Sequence, residues 1–415
     1  MRGLSLLLAG ITLAACTRTT GTALPANPLA AALSPASTFN YATMYKFNGG
    51  SDASTPLAGL VQFNGLLYGT TYGGGATSGQ CKEGCGTVYS IDPNPSYAEK
   101  VIHRFSGGPD DGAFPEAGLR VYDGAFYGTT FFGGETASSC YTDRGCGTVF
   151  KMSPSGIESW KYAFKGSSDG ANPAGGLVMA ANGLFYGTTE YGGSSGYGSV
   201  FSVSTSGQEN VIYSFNGPPN DGAYPVADVV AFDGELYGVT RSGGENNVGT
   251  VFSVTPAGAK RWLYNLDAAG GDRPVGLIEV DNELLGAASA DGPLKRGTLF
   301  SISTSGTSFQ IVHTFSGYPQ DGIKPLAAPI ATNGLLLGTT FGGGSHGDGL
   351  IYGLTTSKPR KECFMHSFPQ SNSDGLQPAA PLLIYNGVLY GTTVEGGNYS
   401  PSGPSFGTVF RISPC

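Results

Sequence analysis

A four-residue phrase, Tyr-Gly-Thr-Thr, recurs along the chain and constrains its fold more than any other feature. The phrase is intact where it begins at Tyr68, Tyr127, Tyr186 and Tyr390, and it is degraded in three further copies. Its glycine falls at positions 69, 128, 187, 238, 286, 338 and 391, which are 48 to 59 residues apart. Self-similarity at such a period predicts a repeat architecture, here with seven structural units.

Each copy has the pattern of four short strands. An apolar first strand is followed by a tight turn such as Asn64-Gly65, then by the Tyr-Gly-Thr-Thr strand and a glycine-rich loop. A third strand of the type Gly-Thr-Val-Phe and a fourth apolar strand complete the unit. Asn-Gly turns accept the positive φ angles that a type I′ hairpin needs. Four antiparallel strands in about 50 residues are typical of a propeller blade.

The two ends of the repeat region predict a closed ring. The region opens at residues 41–47 with a fourth-strand sequence and stops at residues 407–412 with a third strand. If these two segments pair, the ring closes and two strand edges disappear. The alternative is an open solenoid, which would need polar end caps that the sequence does not show. We therefore expect an all-β, seven-bladed β-propeller over residues 39–415, with the N-terminal strand completing the last blade.

Composition agrees with this fold class and excludes others. The 68 Gly among 415 residues argue against a helical protein, since Gly costs roughly 1 kcal/mol inside a helix. A hydrophobic fraction of 40% argues against disorder. The net charge of −8, without a basic run, argues against nucleic acid as a partner.

The combination of the motifs Leu-Tyr-Gly-Thr-Thr, Gly-Gly and Gly-Thr-Val-Phe resembles the repeat of the GloVer family, whose members carry varied surface anchors. The two strands that flank the tight turn are also similar to the inner strands of kelch repeats. The resemblance covers nearly all of the chain beyond its first 38 residues and implies an exported surface protein without assigned chemistry. The fifth copy departs most, with Leu285 in place of the motif tyrosine.

The N-terminus has the features of an export signal. Arg2 precedes an apolar stretch that is too short to span a bilayer, and Leu13-Ala14-Ala15-Cys16 resembles a bacterial lipobox. We therefore expect a signal peptide over residues 1–15, a lipid on Cys16 and a flexible tether over residues 16–38. An ordinary secretory signal is the alternative. The lipoprotein interpretation predicts a monomeric domain in the cell envelope that is anchored to the outer membrane by its lipid.

Six cysteines remain after Cys16, an even number for an oxidising compartment. Two pairs of these cysteines fall in lengthened loops between the second and third strands of the first two copies. We expect each pair to form a disulfide across its own loop. The other two are expected on one rim of adjacent blades. The predicted pairs are Cys81–Cys85, Cys140–Cys146 and Cys363–Cys415. A four-cysteine zinc site is the rival interpretation.

Positions at which the copies disagree are the candidates for ligand binding. They follow the Thr-Thr of the motif, in loops that a propeller places on one face together with the turns between blades. Aromatic rings with a few polar groups suit a glycan or another envelope protein. The alternative is that the rings only pack loop against loop. The candidates are Tyr72, Phe131, Phe132, Glu190, Tyr191, Arg241, Phe341 and Glu395.

Catalytic and cofactor chemistry is not evident. No Ser–His–Asp arrangement, metal-ligand cluster or phosphate-binding loop stands out, so we expect no cofactor, no metal and no catalytic residue. His103, His313 and His366 share a repeat position with tyrosines in other copies, which favours a packing role in the outer strand. A recurrent Asp in the turn between copies, such as Asp111, favours a structural role because Asp before Gly accepts hydrogen bonds from turn amides.

These observations favour a binding module of the cell envelope over two alternatives. One alternative is a hydrolase or lyase that acts on glycans, for which Glu190, Glu395 and Arg241 are the only candidates that are not repeated. The other is a passive surface protein without a ligand.

Overall fold

The computed structural model describes residues 39–77, 81–136, 140, 142–332, 334–357, 362–369, 374–397 and 405–414. These residues form an all-β propeller of seven blades, and each blade is a sheet of four antiparallel strands. The fold predicted from the repeat is therefore confirmed. The expected signal peptide, Cys16 and the tether lie outside the described residues.

In six of the seven blades the four strands follow one another in the chain from the central channel outward, and in blade 7 the N-terminal strand is the outermost one. Blade 1 comprises Val61–Phe63, Leu66–Thr71, Thr87–Ile91 and Glu99–Arg104. Blade 2 comprises Arg120–Tyr122, Ala125–Thr130, Thr148–Met152 and Glu158–Ala163. Blade 3 comprises Val178–Met179, Phe185–Thr189, Ser199–Val203 and Glu209–Ser214. Blade 4 comprises Val230–Phe232, Glu235–Thr240, Thr250–Val254 and Lys260–Asn265. Blade 5 comprises Asp272–Val280, Glu283–Ala290, Thr298–Ser303 and Gln310–Thr314. Blade 6 comprises Ile330–Thr332, Leu335–Thr340, Leu350–Thr355 and Glu362–Ser367. Blade 7 comprises Leu383–Tyr385, Val388–Thr393, Thr408–Pro414 and Phe39–Lys46.

The ring closes through the last blade, as predicted. Phe39–Lys46 forms its outermost strand and pairs antiparallel with Thr408–Pro414, with Tyr41 opposite Ile412. In the described part of the chain the one helical turn is Ser167–Asp169, and no helix there is long and apolar enough to cross a bilayer.

The glycine of the repeat motif is required by an aromatic ring on the neighbouring strand. Gly128 lies opposite Phe150, and a Cβ atom added at position 128 would lie 2.5 Å from the Cζ atom of that ring. All seven blades contain this cross-strand pair of a glycine with a Phe or Tyr. The ring therefore packs directly onto the backbone, and the blades can approach each other closely.

The two threonines of the motif have different roles. The first joins neighbouring blades: the Thr129 hydroxyl donates to the carbonyl of Gly175 at 3.0 Å, and five blades make this bond. The second threonine closes the turn within its own blade, since the Thr130 hydroxyl donates to the carbonyl of Phe132 at 2.9 Å. The repeated threonines thus join five of the seven blades to the next one.

Candidate functional site

One face of the propeller carries the loops between the second and third strands together with the turns that connect successive blades. We call it the loop face. Short two-stranded ladders join five of the seven loops to the adjacent turn, so the loops and the turns share one face, as the sequence led us to expect. These ladders are Ala53–Ser54 with Gly73–Gly74, Gly112–Ala113 with Phe132–Gly133, Gly222–Ala223 with Ser242–Gly243, Gly322–Ile323 with Gly342–Gly343, and Gly375–Leu376 with Glu395–Gly396.

A second series of variable side chains on the loop face is supplied by the residue before the proline of each connecting turn. These residues all have φ between 53° and 59°, a left-handed conformation that is unfavourable for residues other than Gly. Backbone hydrogen bonds hold the strained position: the amide of Phe114 donates to Cys85, and its carbonyl accepts from Phe131. The series consists of Thr55, Phe114, Asn172, Tyr224, Arg273, Lys324 and Gln377. This series was not predicted from the sequence, although the residue at this position differs in every copy.

An aromatic cluster forms where the loops of blades 1 and 2 meet. The ring centroid of Phe114 lies 4.9 Å from that of Tyr72 and 5.9 Å from that of Phe132. Phe131 packs edge-on against Phe132, with their centroids 4.8 Å apart. The Arg144 guanidinium lies 5.7 Å from the centroids of both Phe114 and Phe132, within the range of a cation–π contact. Three of the predicted residues are thus brought together around two that the sequence did not reveal.

Tyr72, Phe114 and Arg144 of this cluster line a cleft of about 560 Å³, which we call the aromatic cleft. Tyr72 and Phe114 supply its apolar surface, and its other lining residues are mostly charged or polar. Burial is the main cause that raises the pKa of Tyr72, and the negative charge of Glu116 adds to it. The remaining lining residues are Cys81, Lys82, Glu83, Gly84, Asp143 and Arg144.

Two disulfides brace the loops around the cleft. Cys81–Cys85 and Cys140–Cys146 are both formed, with Cα atoms 5.1 and 5.0 Å apart, so these two predicted pairs are confirmed. The rival four-cysteine zinc site is wrong, because these sulfurs are bonded to each other. The predicted Cys363–Cys415 pair involves a residue that lies outside the described range.

Three charged side chains, those of Arg241, Glu190 and Glu116, form a group beside the aromatic cleft. Arg241 forms an ion pair with Glu190, whose carboxylate is buried. Burial raises the pKa of Glu190, and Arg241 opposes the shift. Burial also raises the pKa of Glu116 to about 7, with the charge of Glu190 adding to the shift and Arg241 opposing it. Glu116 lines the central channel next to Ala117, so this group connects the loop face with the channel entrance.

The other predicted residues are more dispersed. Tyr191 packs near Tyr224, with ring centroids 5.4 Å apart, beside a second cavity of about 450 Å³. Burial and Glu190 raise the pKa of Tyr191 to about 12. Phe341 and Glu395 lie on blades 6 and 7 and are not among the residues that line the aromatic cleft. The predicted set is therefore divided among several places on one face.

Two groups of side chains in the described part of the chain could hold a metal ion. His103, Asp111 and Glu158 form one, and the second is its counterpart four blades further along the chain; within each, the candidate ligand atoms lie within 4.8 Å of one another. Both lie between the outer strands of adjacent blades rather than in the aromatic cleft. Packing is only one of the contacts that these histidines make. His103 packs on Phe105, as predicted, and it also faces Asp111. The sequence did not reveal these groups because their members are distant in the chain.

Comparison with known proteins finds one family model and several structures that are similar to this chain. The model described as the Gloeobacter/Verrucomicrobia repeat matches residues 136–327 and 276–415. A search of curated proteins finds no match. A structure described as a putative 6-phosphogluconolactonase from Bacteroides uniformis is 12% identical, with 76% of this chain and 86% of that chain covered and a TM-score of 0.49. BamB from Moraxella catarrhalis is 11% identical, with 86% and 84% covered and a TM-score of 0.47.

Proposed function

Since the chain belongs to the Gloeobacter/Verrucomicrobia repeat family and carries an aromatic cleft on its loop face, we propose that it is a glycan-binding module of the cell envelope. The observation that carries the proposal is the aromatic cleft between the disulfide-braced loops of blades 1 and 2. Its volume of about 560 Å³ falls in the range of roughly 300–1,000 Å³ that is usual for small-molecule sites.

The chemistry of the cleft suits a sugar. The faces of sugar rings carry C–H groups that pack on aromatic side chains, and Tyr72 is a half-buried ring that lines the cleft beside Phe114. Lys82, Glu83 and Asp143 contribute both donors and acceptors, which match the hydroxyl groups of a sugar.

Preorganisation supports the same proposal. The disulfides fix the two loops, and Arg144 holds Phe114 and Phe132 together through its cation–π contacts. A site that is ordered before binding loses less conformational entropy when a ligand binds.

A glycan-array screen of the chain from residue 17, followed by titration calorimetry with the selected glycan, tests the proposal. We expect Tyr72→Ala combined with Phe132→Ala to weaken binding at least tenfold, a loss of about 1.4 kcal/mol or more. Phe341→Ala is the matched control because it removes a loop-face ring on another blade and should leave affinity unchanged. Equal affinity of the double variant and the native chain would exclude this cleft, and capture of an envelope protein alone would favour the alternative ligand.

We propose that a lipid on Cys16 anchors this module in the outer membrane. The support is the Leu13-Ala14-Ala15-Cys16 sequence after a short apolar stretch. Radiolabelled palmitate should be incorporated by the native chain and not by Cys16→Ser. Equal labelling of both chains would argue against the anchor.

Glycan hydrolysis is a second candidate function, and Glu116 favours it. A carboxyl group with a pKa of about 7, next to the carboxylate of Glu190, has the properties of a general acid. If the chain cleaves the glycan that it binds, Glu116→Gln should abolish cleavage and leave binding intact. Reducing-end release that is the same with and without this substitution would dismiss Glu116 as the acid.

A further inference from the structure

Three side chains meet at the outer edge of six of the seven junctions between blades. The outer strand of one blade provides a Tyr or His, two residues before its final aromatic or Leu residue. The connecting turn provides an Asp, and the next blade provides a residue from the start of its own outer strand. The groups are Tyr45–Asp52–Glu99, His103–Asp111–Glu158, Tyr162–Asp169–Glu209, Tyr213–Asp221–Lys260, His313–Asp321–Glu362 and His366–Asp374–Tyr41.

Where the first member is Tyr, its hydroxyl group donates a hydrogen bond to the Asp of the turn. The hydroxyl of Tyr162 donates to Asp169 at 2.8 Å. At the junction of blades 3 and 4, Lys260 takes the position of the Glu and places its ammonium group 3.3 Å from Asp221. That junction therefore contains a positive charge of its own, next to a buried carboxylate.

Two junctions place a histidine against two carboxylates. Nε2 of His313 lies 3.3 Å from Oδ2 of Asp321 and 3.3 Å from Oε1 of Glu362. This oxygen of Glu362 is buried and has no hydrogen-bond partner among the described residues. At the other junction, Nε2 of His103 is likewise buried without such a partner, 3.8 Å from Oδ2 of Asp111.

The second ring nitrogen of His103 defines the tautomer of its neutral form. Nδ1 lies 3.3 Å from the carbonyl oxygen of Gly156, which can only accept a hydrogen bond, so Nδ1 carries the proton. Nε2 of the neutral ring then turns its lone pair toward the carboxylates of Asp111 and Glu158. Metal-binding histidines commonly have this arrangement, with the distal N–H donated to a backbone carbonyl.

We propose that these two junctions each bind one divalent transition-metal ion, through the histidine Nε2 and one oxygen from each of the two carboxylates. Zn²⁺ is the first ion to test. In a tetrahedral site with bonds of about 2.0–2.1 Å, ligand atoms are about 3.3–3.4 Å apart. The two separations at His313 match this edge and exceed the 2.7–2.9 Å that is usual for a charge-assisted hydrogen bond.

Such ions would join blade 1 to blade 2 and blade 5 to blade 6. The second junction lacks the threonine bond between blades, because Ala287 occupies the position that Thr129 has in blade 2. The side chain of His313 is 16% exposed, so solvent can reach the site and water can supply the fourth ligand.

Zinc stoichiometry tests the proposal on the chain from residue 17, purified without a polyhistidine tag and treated with a chelator. Titration calorimetry and metal analysis after dialysis should give two Zn²⁺ per native chain and one for His313→Tyr. The double variant His103→Tyr, His313→Tyr should bind none. These variants are expected to fold because Tyr occupies the same position at three other junctions that contain the turn Asp.

A gain-of-site variant and a matched control sharpen the test. Tyr162→His completes a third group with Asp169 and Glu209, and should raise the stoichiometry to three. His366→Tyr is the control, since Tyr41 occupies the Glu position at that junction and the count should remain two. Absence of zinc binding by the native chain, an unchanged count in the double variant, or no gain with Tyr162→His would overturn the assignment.

Discussion

At the scale of single residues, the repeat motif is a unit of packing and hydrogen bonding. Gly128 has no side chain because the ring of Phe150 occupies that space, and the same pair recurs around the ring. The Asp of the turn accepts backbone hydrogen bonds, as the sequence predicted; Asp221, for example, accepts from the amides of Asn216 and Gly222. The repeated residues thus build the blades, and the residues that differ between copies remain for the loop face.

The close approach at Gly128 gives a prediction for stability. Gly128→Ala should lower the free energy of unfolding by about 1–3 kcal/mol, because the new methyl group overlaps the ring of Phe150. Adding Phe150→Leu should recover part of this loss, which thermal or urea unfolding can measure. If Gly128→Ala were as stable as the native chain, the packing argument for the motif would be wrong.

The raised pKa of Glu116 gives a prediction for pH dependence. Its pKa is about 7 in the folded chain and about 4.5 when unfolded, so the folded state holds the proton more tightly. Its contribution to stability is therefore present below about pH 4.5 and decreases as the pH rises toward 7. Glu116→Gln should gain stability relative to the native chain over this range in urea titrations. A constant difference between the two chains from pH 4.5 to 7 would contradict the shift.

At the scale of elements, each blade is joined to the next by its second strand. The first threonine of the motif provides a buried hydrogen bond across five junctions, and Val239 and Ala287 replace it in the other two blades. Valine is therefore compatible with the shape of this position. The bond itself, rather than the volume of the side chain, distinguishes these junctions.

Removing one such bond tests this interpretation. Thr129→Val should destabilise the chain by about 1–2 kcal/mol, because the carbonyl of Gly175 loses its buried donor. Val239→Ala, which removes apolar volume at a position without this bond, separates packing from hydrogen bonding. An unchanged midpoint of urea unfolding for Thr129→Val would show that the bond contributes nothing.

The connecting turns show where sequence-based prediction of elements ends. The Asp-Gly turns predict that the chain reverses between blades, but a residue before proline is usually extended. The left-handed conformation of Phe114 arises only because its amide and carbonyl both bond to neighbouring loops. Tyr72, Phe131 and Phe132 could be proposed from their variability. Phe114 occupies a position that varies in the same way, but its packing against Tyr72 and Arg144 could not be predicted, because their approach depends on the path of the loops.

At the scale of the whole molecule, closure of the ring determines which loops are neighbours. The repeat count and the segments at its ends were sufficient to predict seven blades and the pairing of the first strand with the last. Contacts between blades were not predictable in the same way. His103, Asp111 and Glu158 meet because two outer strands lie side by side, and their spacing in the chain gives no sign of it.

Ring closure gives a prediction for truncated chains. A chain that begins at residue 48 loses the strand Phe39–Lys46 and the buried ring of Phe47. Its thermal unfolding midpoint should fall by at least about 5 °C relative to a chain that begins at residue 39. The chain from residue 39 should unfold like the chain from residue 17. Equal midpoints for all three would contradict the role of this strand in holding the ring.

The most direct test of the central claim is a crystal structure of the chain from residue 17 with the glycan selected by the array. We expect the sugar to lie in the aromatic cleft, with one ring packed on Tyr72 and its hydroxyl groups bonded to Lys82, Glu83 or Asp143. Electron density for the sugar at any other place on the propeller, with the aromatic cleft free of it, would contradict the account.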